Sequence, residues 1–210
     1  LYSQTYKYPP EMIVSHTFYE ECPEEFFDFY KKRMLFMNAQ PNAAHKKLAQ
    51  LEKAGKLKAV ITQNIDGLHQ AAGSKNVLEL HGSVLRNYCE SCGKSFPVKY
   101  VLEADGVPHC DACGGRVKPD VVLYEENLDM DVMEAAVNYI SRADMLIIGG
   151  TSLVVYPAAG LLRYYQGHKL VLVNKSNTSY DSRADLVINE NIGEVFSQIQ
   201  GPYLDKAASE

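Results

Sequence analysis

Short apolar runs alternate along the chain with longer segments in which apolar residues recur at helical spacing. Short β-branched runs are typical of buried strands. The predicted strands are residues 58–61, 77–80, 121–124, 145–148, 170–173 and 185–188. Helical spacing and capping residues predict helices elsewhere. The predicted helices are residues 23–36, 42–54, 130–141, 157–165 and 192–199. This alternation predicts an α/β fold with a doubly wound parallel sheet. We interpret residues 1–10 as a loop and residues 205–210 as a frayed tail.

Polar segments follow four of the predicted strands closely. They are Gln63-Asn64-Ile65-Asp66, His81-Gly82, Gly150-Thr151-Ser152 and Asn174-Lys175-Ser176. In an open α/β sheet the carboxyl ends of parallel strands lie along one edge, where ligands bind in a crevice. Glycine lets the backbone approach a phosphate or ribose, and a histidine can act as a base near neutral pH. We therefore expect a dinucleotide site at this edge, although any one of these loops could equally be a polar cap on the sheet.

Four cysteines form two closely spaced pairs. Cys89-x-x-Cys92 is followed, after seventeen intervening residues, by Cys110-x-x-Cys113. Two such pairs are typical of a tetrahedral zinc site, whereas the alternative, a redox dithiol, does not need a second pair. Glycines after each pair favour knuckle turns that point backbone N–H groups at the sulfurs. The intervening segment is too small to bury much of a core, so metal binding would supply its folding energy.

Composition narrows the classes of function. The net charge is −5 and tryptophan is absent, so nothing indicates the broad basic face of a nucleic-acid-binding protein. No apolar run is long enough to span a bilayer, and the start of the chain does not resemble a signal peptide. The five cysteines form two Cys-x-x-Cys pairs plus Cys22. This pattern fits a metal-binding protein of a reducing compartment better than the disulfide framework of a secreted protein.

The motifs together resemble the sirtuin family of NAD-dependent protein-lysine deacylases. The match is Thr62-Gln63-Asn64-Ile65-Asp66, then Leu80-His81-Gly82, then the cysteine pairs, then Gly150-Thr151-Ser152. Each piece alone is a weak signal, but this order and spacing over most of the chain are specific. The resemblance implies a Rossmann-like NAD-binding domain at residues 1–82 and 119–210, with a helical module within 10–55. It also implies a zinc-ribbon insert at residues 83–118.

The resemblance assigns a role to each matching residue. His81 corresponds to the general base that activates a ribose hydroxyl of NAD. Contacts around the nicotinamide and its ribose are implied for Gln63, Asn64, Ile65 and Asp66. Contacts on the adenosine side are implied for Gly150, Thr151, Ser152, Asn174, Lys175, Ser176 and Ile192. The implied reaction is attack of an acyl-lysine carbonyl oxygen on the nicotinamide ribose, which yields free lysine, nicotinamide and O-acyl-ADP-ribose.

The resemblance also implies that an acyl-lysine peptide binds as an extended strand between two edges of the protein. The implied contacts are Val122, Leu123, Tyr124, Glu125 and Val155. The family usually has Phe-Gly-Glu where this chain has Tyr124-Glu125-Glu126. We expect backbone pairing to survive this change because extended dihedrals do not require glycine. Glu125 could then favour basic neighbours of the target lysine.

A Tyr-x-x-Arg sequence precedes the Pro41-Asn42-Ala43 segment, as it does in family members that prefer succinyl or malonyl lysine. Tyr30 and Arg33 share one face of the predicted helix, so Arg33 could pair with a substrate carboxylate. A shift of one turn would place Phe27 and Tyr30 there instead, and Arg33 could simply be a solvated cation late in the helix. Acetyl-lysine is therefore the expected default substrate, and we predict that succinyl groups are also removed.

The family's Gly-rich phosphate loop, the Asp-Phe-Arg segment and the first strand are expected before Leu1.

Two other functions stay open. An ADP-ribosyltransferase would use the same NAD pocket, and a zinc-ribbon module that binds protein or nucleic acid is a second alternative. The short tail and compact insert resemble bacterial members of the family, which favours the cytoplasm. The oligomeric state is left open.

Overall fold

The structure is a computed structural model that describes residues 7–201 and residue 204. The loop expected over residues 1–6 and the frayed tail expected over residues 205–210 lie outside the described residues. The α-helices are α1 (Pro10–Ile13), α2 (His16–Glu21), α3 (Pro23–Arg33), α4 (Ala43–Lys53), α5 (Leu68–Ala71), α6 (Val98–Glu103), α7 (Met130–Ser141) and α8 (Ile192–Ser197). The strands are β1 (Val60–Thr62), β2 (Val77–Glu79), β3 (Gly82–Cys89), β4 (Ser95–Pro97), β5 (Val117–Val121), β6 (Leu146–Gly149), β7 (Leu170–Val173) and β8 (Leu186–Ile188). Short 3₁₀ helices cover Ala158–Tyr164 and Asp181–Arg183.

Most predicted elements are confirmed, and two are corrected. The helices α3, α4, α7 and α8 and the strands β1, β2, β6, β7 and β8 lie where the pattern placed them, with ends that shift by a few residues. The helix predicted at residues 157–165 is a 3₁₀ helix, Ala158–Tyr164. The strand predicted at residues 121–124 is wrong, because β5 ends at Val121. The apolar pattern missed β5 because that strand contains Lys118, Pro119 and Asp120.

The described chain divides into two compact units. The first contains the chain up to Ala39, Asn64–Gly67 and His81–Leu128, and the second contains Gln40–Gln63, Leu68–Leu80 and the chain from Asp129 onward. This grouping differs from the expected boundaries, because α1 to α3 belong with the cysteine-rich segment while α4 belongs with the parallel strands. The functional division into a nucleotide domain and a zinc insert stays a prediction.

The first unit packs α1 to α3 against an antiparallel sheet of order β4-β3-β5. Helix α3 begins at Pro23, with acidic residues in its first turn and basic residues in its last, which suits the helix dipole. Its buried face joins Tyr19 in an aromatic core in which Phe26, Phe27 and Tyr30 meet edge to face or stacked. Aromatic pairs of this geometry stabilise a core beyond the area they bury. The helices and the cysteine-rich segment therefore share one core.

The second unit contains the parallel strands. β1 pairs with β2, and β6, β7 and β8 form a sheet in that order. Helix α4 begins with a capping box, in which the Asn42 side chain accepts from the His45 N–H and the His45 ring bonds the Asn42 N–H. The second unit has a buried apolar cluster that contains Ala44 of α4, Val173 of β7 and Phe196 of α8. Among the described residues, no helix has both the length and the apolar character needed to cross a membrane.

Candidate active site and metal centre

The four cysteine sulfurs converge on one point. The Sγ atoms of Cys89, Cys92, Cys110 and Cys113 all lie within 4.8 Å of one another. The Cys89–Cys113 separation is 3.4 Å and the Cys92–Cys110 separation is 3.7 Å. Zinc–sulfur bonds of about 2.3 Å in a tetrahedron place sulfurs about 3.8 Å apart. The donor set therefore fits a four-thiolate zinc ion.

Each cysteine pair is held by the same knuckle. The Cys89 N–H donates to the Lys94 carbonyl at 2.9 Å, and the Gly93 N–H donates back to the Cys89 carbonyl at 2.9 Å. The second knuckle repeats both bonds: Cys110 donates to Gly115 at 2.7 Å, and Gly114 donates to Cys110 at 2.9 Å. Gly93 and Gly114 have φ values of 71° and 75°, a left-handed turn that glycine adopts without strain. The Ala112 N–H points at the Cys110 sulfur, 3.4 Å away. The predicted knuckles are confirmed.

The thiols influence each other's ionisation. Desolvation opposes ionisation of Cys89, but N–H groups of Cys92 and Ser91 and the thiol of Cys113 bond its sulfur and lower its pKa to about 7. The Gly115 N–H favours the Cys113 thiolate, yet Cys89 and Cys92 raise the pKa of Cys113 to about 12. One thiolate of the cluster forms easily, and its negative charge opposes the ionisation of the neighbouring thiols. A bound cation would relieve that opposition, which supports assignment of the cluster as a metal site.

The predicted base, His81, lies immediately before β3. His81 is half-buried, and its carbonyl accepts a 3.0 Å bond from the Val122 N–H. The next residue, Gly82, has φ of 74° and pairs with Val121 of β5. A Cβ at Gly82 would overlap the Asp120 carbonyl oxygen and lie 2.9 Å from its carbon. Gly82 therefore permits a close approach of β3 to β5 that fixes the backbone at His81.

The loop with Asn64 and Asp66 is bonded to the same strand. The Ile65 carbonyl accepts from the Val84 N–H at 3.0 Å and from the Ser83 hydroxyl at 3.5 Å. Ile65 packs against the core of the first unit, while Asn64 is exposed and Asp66 is half-buried. The structure thus brings this loop beside the strand that begins immediately after His81.

The predicted peptide-binding segment, residues 122–126, has a conformation that the sequence did not indicate. Glu125 has φ of 76°, so the expectation of an extended backbone at this position is wrong. Its carboxylate accepts from the Thr17 N–H at 2.9 Å and from the Thr17 hydroxyl at 2.7 Å, and these bonds lower the pKa of Glu125. Glu126 accepts from the Leu123 N–H at 2.9 Å and from the Lys118 ammonium at 3.1 Å. Tyr124 is exposed.

The predicted nucleotide residues of the second unit lie at the carboxyl ends of its strands. Gln63, after β1, donates to the Thr151 hydroxyl at 3.4 Å, and the Gly150 N–H donates to the Val173 carbonyl at 3.1 Å. Asn174, after β7, donates through its side chain to the Ser176 carbonyl at 2.9 Å. Ser152, Val155 and Lys175 are exposed. The structure therefore brings Gln63 to Thr151 and Gly150 to the end of β7.

Sequence reasoning missed some supporting residues. A Cβ at Gly149 would overlap the Ile192 side chain, so this glycine lets α8 approach the end of β6. The tandem Gly149-Gly150 was a signal for such an approach. Thr17, which bonds Glu125, had no signal in the sequence because 108 residues separate the two.

The predicted acyl-pocket pair lies on α3. Tyr30 is fully buried, its ring stacks on Phe26 at 5.8 Å, and burial raises the pKa of its hydroxyl. Among the described residues, this hydroxyl has no hydrogen-bond partner. Arg33 is half-buried at the last position of the helix. Their role toward an acyl group stays a prediction.

Comparisons with known proteins give one consistent answer. The model of the Sir2 family matches residues 1–157. An NAD-dependent protein deacetylase of Clostridium acetobutylicum is 60% identical over 195 residues, covering 92% of this chain and 80% of the relative. One of Clostridium perfringens is 63% identical over 193 residues, covering 91% and 79%.

Solved structures agree. The structure of Sir2 in complex with the inhibitor EX-527, 2′-O-acetyl-ADP-ribose and a deacetylated p53 peptide matches with a TM-score of 0.82 and 44% identity. The match covers 88% of this chain and 81% of that one. This likeness confirms the α/β, Rossmann-like fold class that the sequence predicted.

Proposed function

The chain belongs to the Sir2 family, and from this membership we infer that it is an NAD-dependent protein-lysine deacetylase. It uses NAD as co-substrate and acts on acetyl-lysine in proteins or peptides, with nicotinamide, O-acetyl-ADP-ribose and the free lysine as products. The four cysteines bind one zinc ion per chain. The observation that carries this function is the 60% identity to a protein deacetylase over 92% of the chain.

His81 is proposed as the general base. NAD supplies the electrophilic ribose carbon and the leaving nicotinamide, so the protein's task is to position reactants and move protons. The His81 imidazole would accept the proton of a ribose hydroxyl, because a neutral imidazole ring has one nitrogen free to act as a proton acceptor. Its backbone is held by the bond from Val122 and by the close β3–β5 contact at Gly82.

The polar groups near the strand ends are proposed to orient NAD. Asn64 and Asp66 are assigned to the nicotinamide and its ribose, together with Gln63 and the apolar Ile65. The adenosine side is assigned to the loops after β6 and β7 and to Ile192 at the start of α8. The bonds from Gln63 to Thr151 and from Gly150 to Val173 support this assignment, because they hold the loops after β1 and β6 in place.

The zinc ion is proposed to be structural. Four thiolate ligands fill a tetrahedral coordination sphere and leave no position for a reacting water. Its contribution is the folding of the small segment that carries it. We also propose a cytoplasmic location, which suits reduced zinc-binding thiols.

The test is turnover by the protein. Incubation with NAD and an acetyl-lysine peptide should release nicotinamide and form O-acetyl-ADP-ribose, both measured by mass spectrometry. His81→Ala should lower kcat by about 10²–10⁴-fold, the usual contribution of a general base, without loss of zinc. His168→Ala, at an exposed site in the second unit, is the matched control.

Two outcomes would contradict the proposal. The protein can also be incubated with labelled NAD. Label that accumulates on the protein rather than on acetyl-ADP-ribose would indicate the alternative, an ADP-ribosyltransferase. A His81→Ala protein that retains most of the turnover would remove His81 from the mechanism.

A further inference from the structure

The N-terminus of helix α2 is bonded to residues 122–126, the segment predicted from the sequence to bind the peptide. The His16 N–H donates to the Tyr124 carbonyl at 2.9 Å, and the Tyr124 N–H donates to the Val14 carbonyl at 3.0 Å. Ser15 and Tyr124 thereby form an isolated parallel bridge. The segment is therefore bonded to α2 on one side, and through Val122 to His81 on the other.

Glu125 adds a side-chain bond to this junction. Its carboxylate accepts from both the N–H and the hydroxyl of Thr17, the second residue of α2. The Ser15 hydroxyl accepts from the next N–H, that of Phe18, at 3.2 Å. The first N–H groups of a helix have no partner within the helix, so they can donate to a side chain from elsewhere. A residue whose side chain bonds these groups is thereby held against the helix.

The backbone conformation of Glu125 makes these bonds consequential. A non-glycine residue at φ of 76° is strained, and such a residue persists only where surrounding contacts hold it. The bonds to Thr17 are contacts of that kind. Without them, the backbone at residue 125 would be freed toward extended conformations, and the edge formed by residues 122–124 would change direction.

Glu126, the next residue, adds further bonds to the same turn. Glu126 accepts from the Leu123 N–H, from the ammonium of Lys118 and from the His16 ring at 2.9 Å. Lys118 is buried and also donates to the Val121 carbonyl at 3.1 Å. Two consecutive carboxylates thus face different partners, and the one from Glu125 is engaged by Thr17.

We propose that Glu125 is a positioning residue for the peptide, whose carboxylate, held by Thr17, fixes the backbone edge against which the acetyl-lysine peptide lies. The inference rests on the proposed function. It differs from a role in which the Glu125 charge attracts basic residues of the peptide, because a positioning residue affects every peptide alike.

The experiment compares variants for peptide affinity by fluorescence anisotropy in the full-length protein. Two acetyl-lysine peptides are used, one flanked by lysines and one by neutral residues. Glu125→Ala should weaken both peptides about tenfold, and Thr17→Val about threefold, which is the range that loss of a capping bond produces. Thr17→Ser keeps both donors and should restore wild-type affinity. The affinity for NAD should change less than twofold.

Asp129→Ala is the matched control. Asp129 also caps a helix through its carboxylate, accepting from the Asp131 N–H at 2.8 Å and the Val132 N–H at 3.2 Å, but it lies in the second unit. Its loss should lower the melting temperature without changing peptide affinity. Hydrogen exchange of residues 122–126, measured without peptide, should be faster in Glu125→Ala and Thr17→Val than in this control.

The outcomes separate the possibilities. Weakening of the lysine-flanked peptide alone would overturn positioning in favour of charge recognition. Faster exchange with unchanged affinity for both peptides, or no change in either, would also overturn it. A wild-type protein that exchanges slowly at residues 122–126 yet binds no acetyl-lysine peptide would instead overturn the proposed function, and the inference with it.

Discussion

A single methyl group added at Gly82 would test whether the close contact of β3 and β5 holds the proposed base. An alanine Cβ at this position would overlap the backbone carbonyl oxygen of Asp120. Backbone cannot swing aside as a flexible side chain does. To restore an ordinary contact, the two strands must separate locally by about 1 Å or more. His81 immediately precedes Gly82 and would move with it.

The expected loss of stability has two parts. Alanine in the left-handed region costs about 1–2 kcal/mol relative to glycine. Overpacking against a backbone group adds about 1–3 kcal/mol. The total, about 2–5 kcal/mol, is a large share of the roughly 5–15 kcal/mol that holds a domain folded. For the folded fraction, a displacement of about 1 Å at a catalytic group can lower the rate about 10²-fold.

Gly106→Ala provides the matched control. Gly106 belongs to the same unit and has φ of 64°, but a Cβ there meets nothing within 4 Å. It should therefore lose only the conformational part, about 1–2 kcal/mol, with unchanged turnover. Urea unfolding measures the first quantity for both variants, and kcat/KM on an acetyl-lysine peptide measures the second. If Gly82→Ala matched Gly106→Ala in stability and in turnover, the β3–β5 contact would not be what positions His81.

Two further predictions concern the metal and the acyl group. Cys113→Ser should lower zinc content and kcat/KM together. Cys22→Ser, at a half-buried thiol outside the cluster, should change neither quantity. A folded, active protein without zinc would refute the structural role of the metal. If Arg33 faces the acyl group, Arg33→Met should lower kcat/KM for a succinyl peptide at least about tenfold more than for its acetyl counterpart, the scale of one lost charge-assisted bond. Lys32→Met, at an exposed position on the same helix, is the control, and equal losses on both peptides would place Arg33 away from the acyl group.

Elements with local signals were predictable from the sequence. Helix α7 was predicted with its observed bounds, and in the structure Asp129 caps it. The zinc cluster was predictable because its ligand spacing is a property of two short segments. Helix α4 followed from Asn42 as cap and Gly55 as stop.

Features that depend on distant partners were not predictable. β5 does not look like a strand because it carries Lys118, whose buried ammonium is compensated by Glu126 and the Val121 carbonyl. Burial of a charge is tolerable only with such partners, and hydrophobic periodicity cannot reveal them. Glu125 likewise adopts a left-handed conformation while its carboxylate bonds Thr17, which is remote in sequence. Local propensity therefore fails where a long-range polar contact decides the backbone.

The same long-range contacts explain how a zinc ion with no reacting position can matter for catalysis. Glu90 directly follows the ligand Cys89, and its carboxylate accepts from Arg116 Nε and from the Tyr19 hydroxyl, both at 2.9 Å. The Arg116 guanidinium lies 4.0 Å from the centroid of the buried Tyr19 ring and also pairs with Glu20, so the zinc ribbon holds α2 directly. The opposite end of α2 bonds residues 124–126, and that segment leads back through Val122 to the His81 carbonyl. Every link lies within the first unit. We therefore expect loss of zinc to release Glu90 and Arg116 and to disturb the proposed peptide edge and base through α2, without any metal–substrate contact.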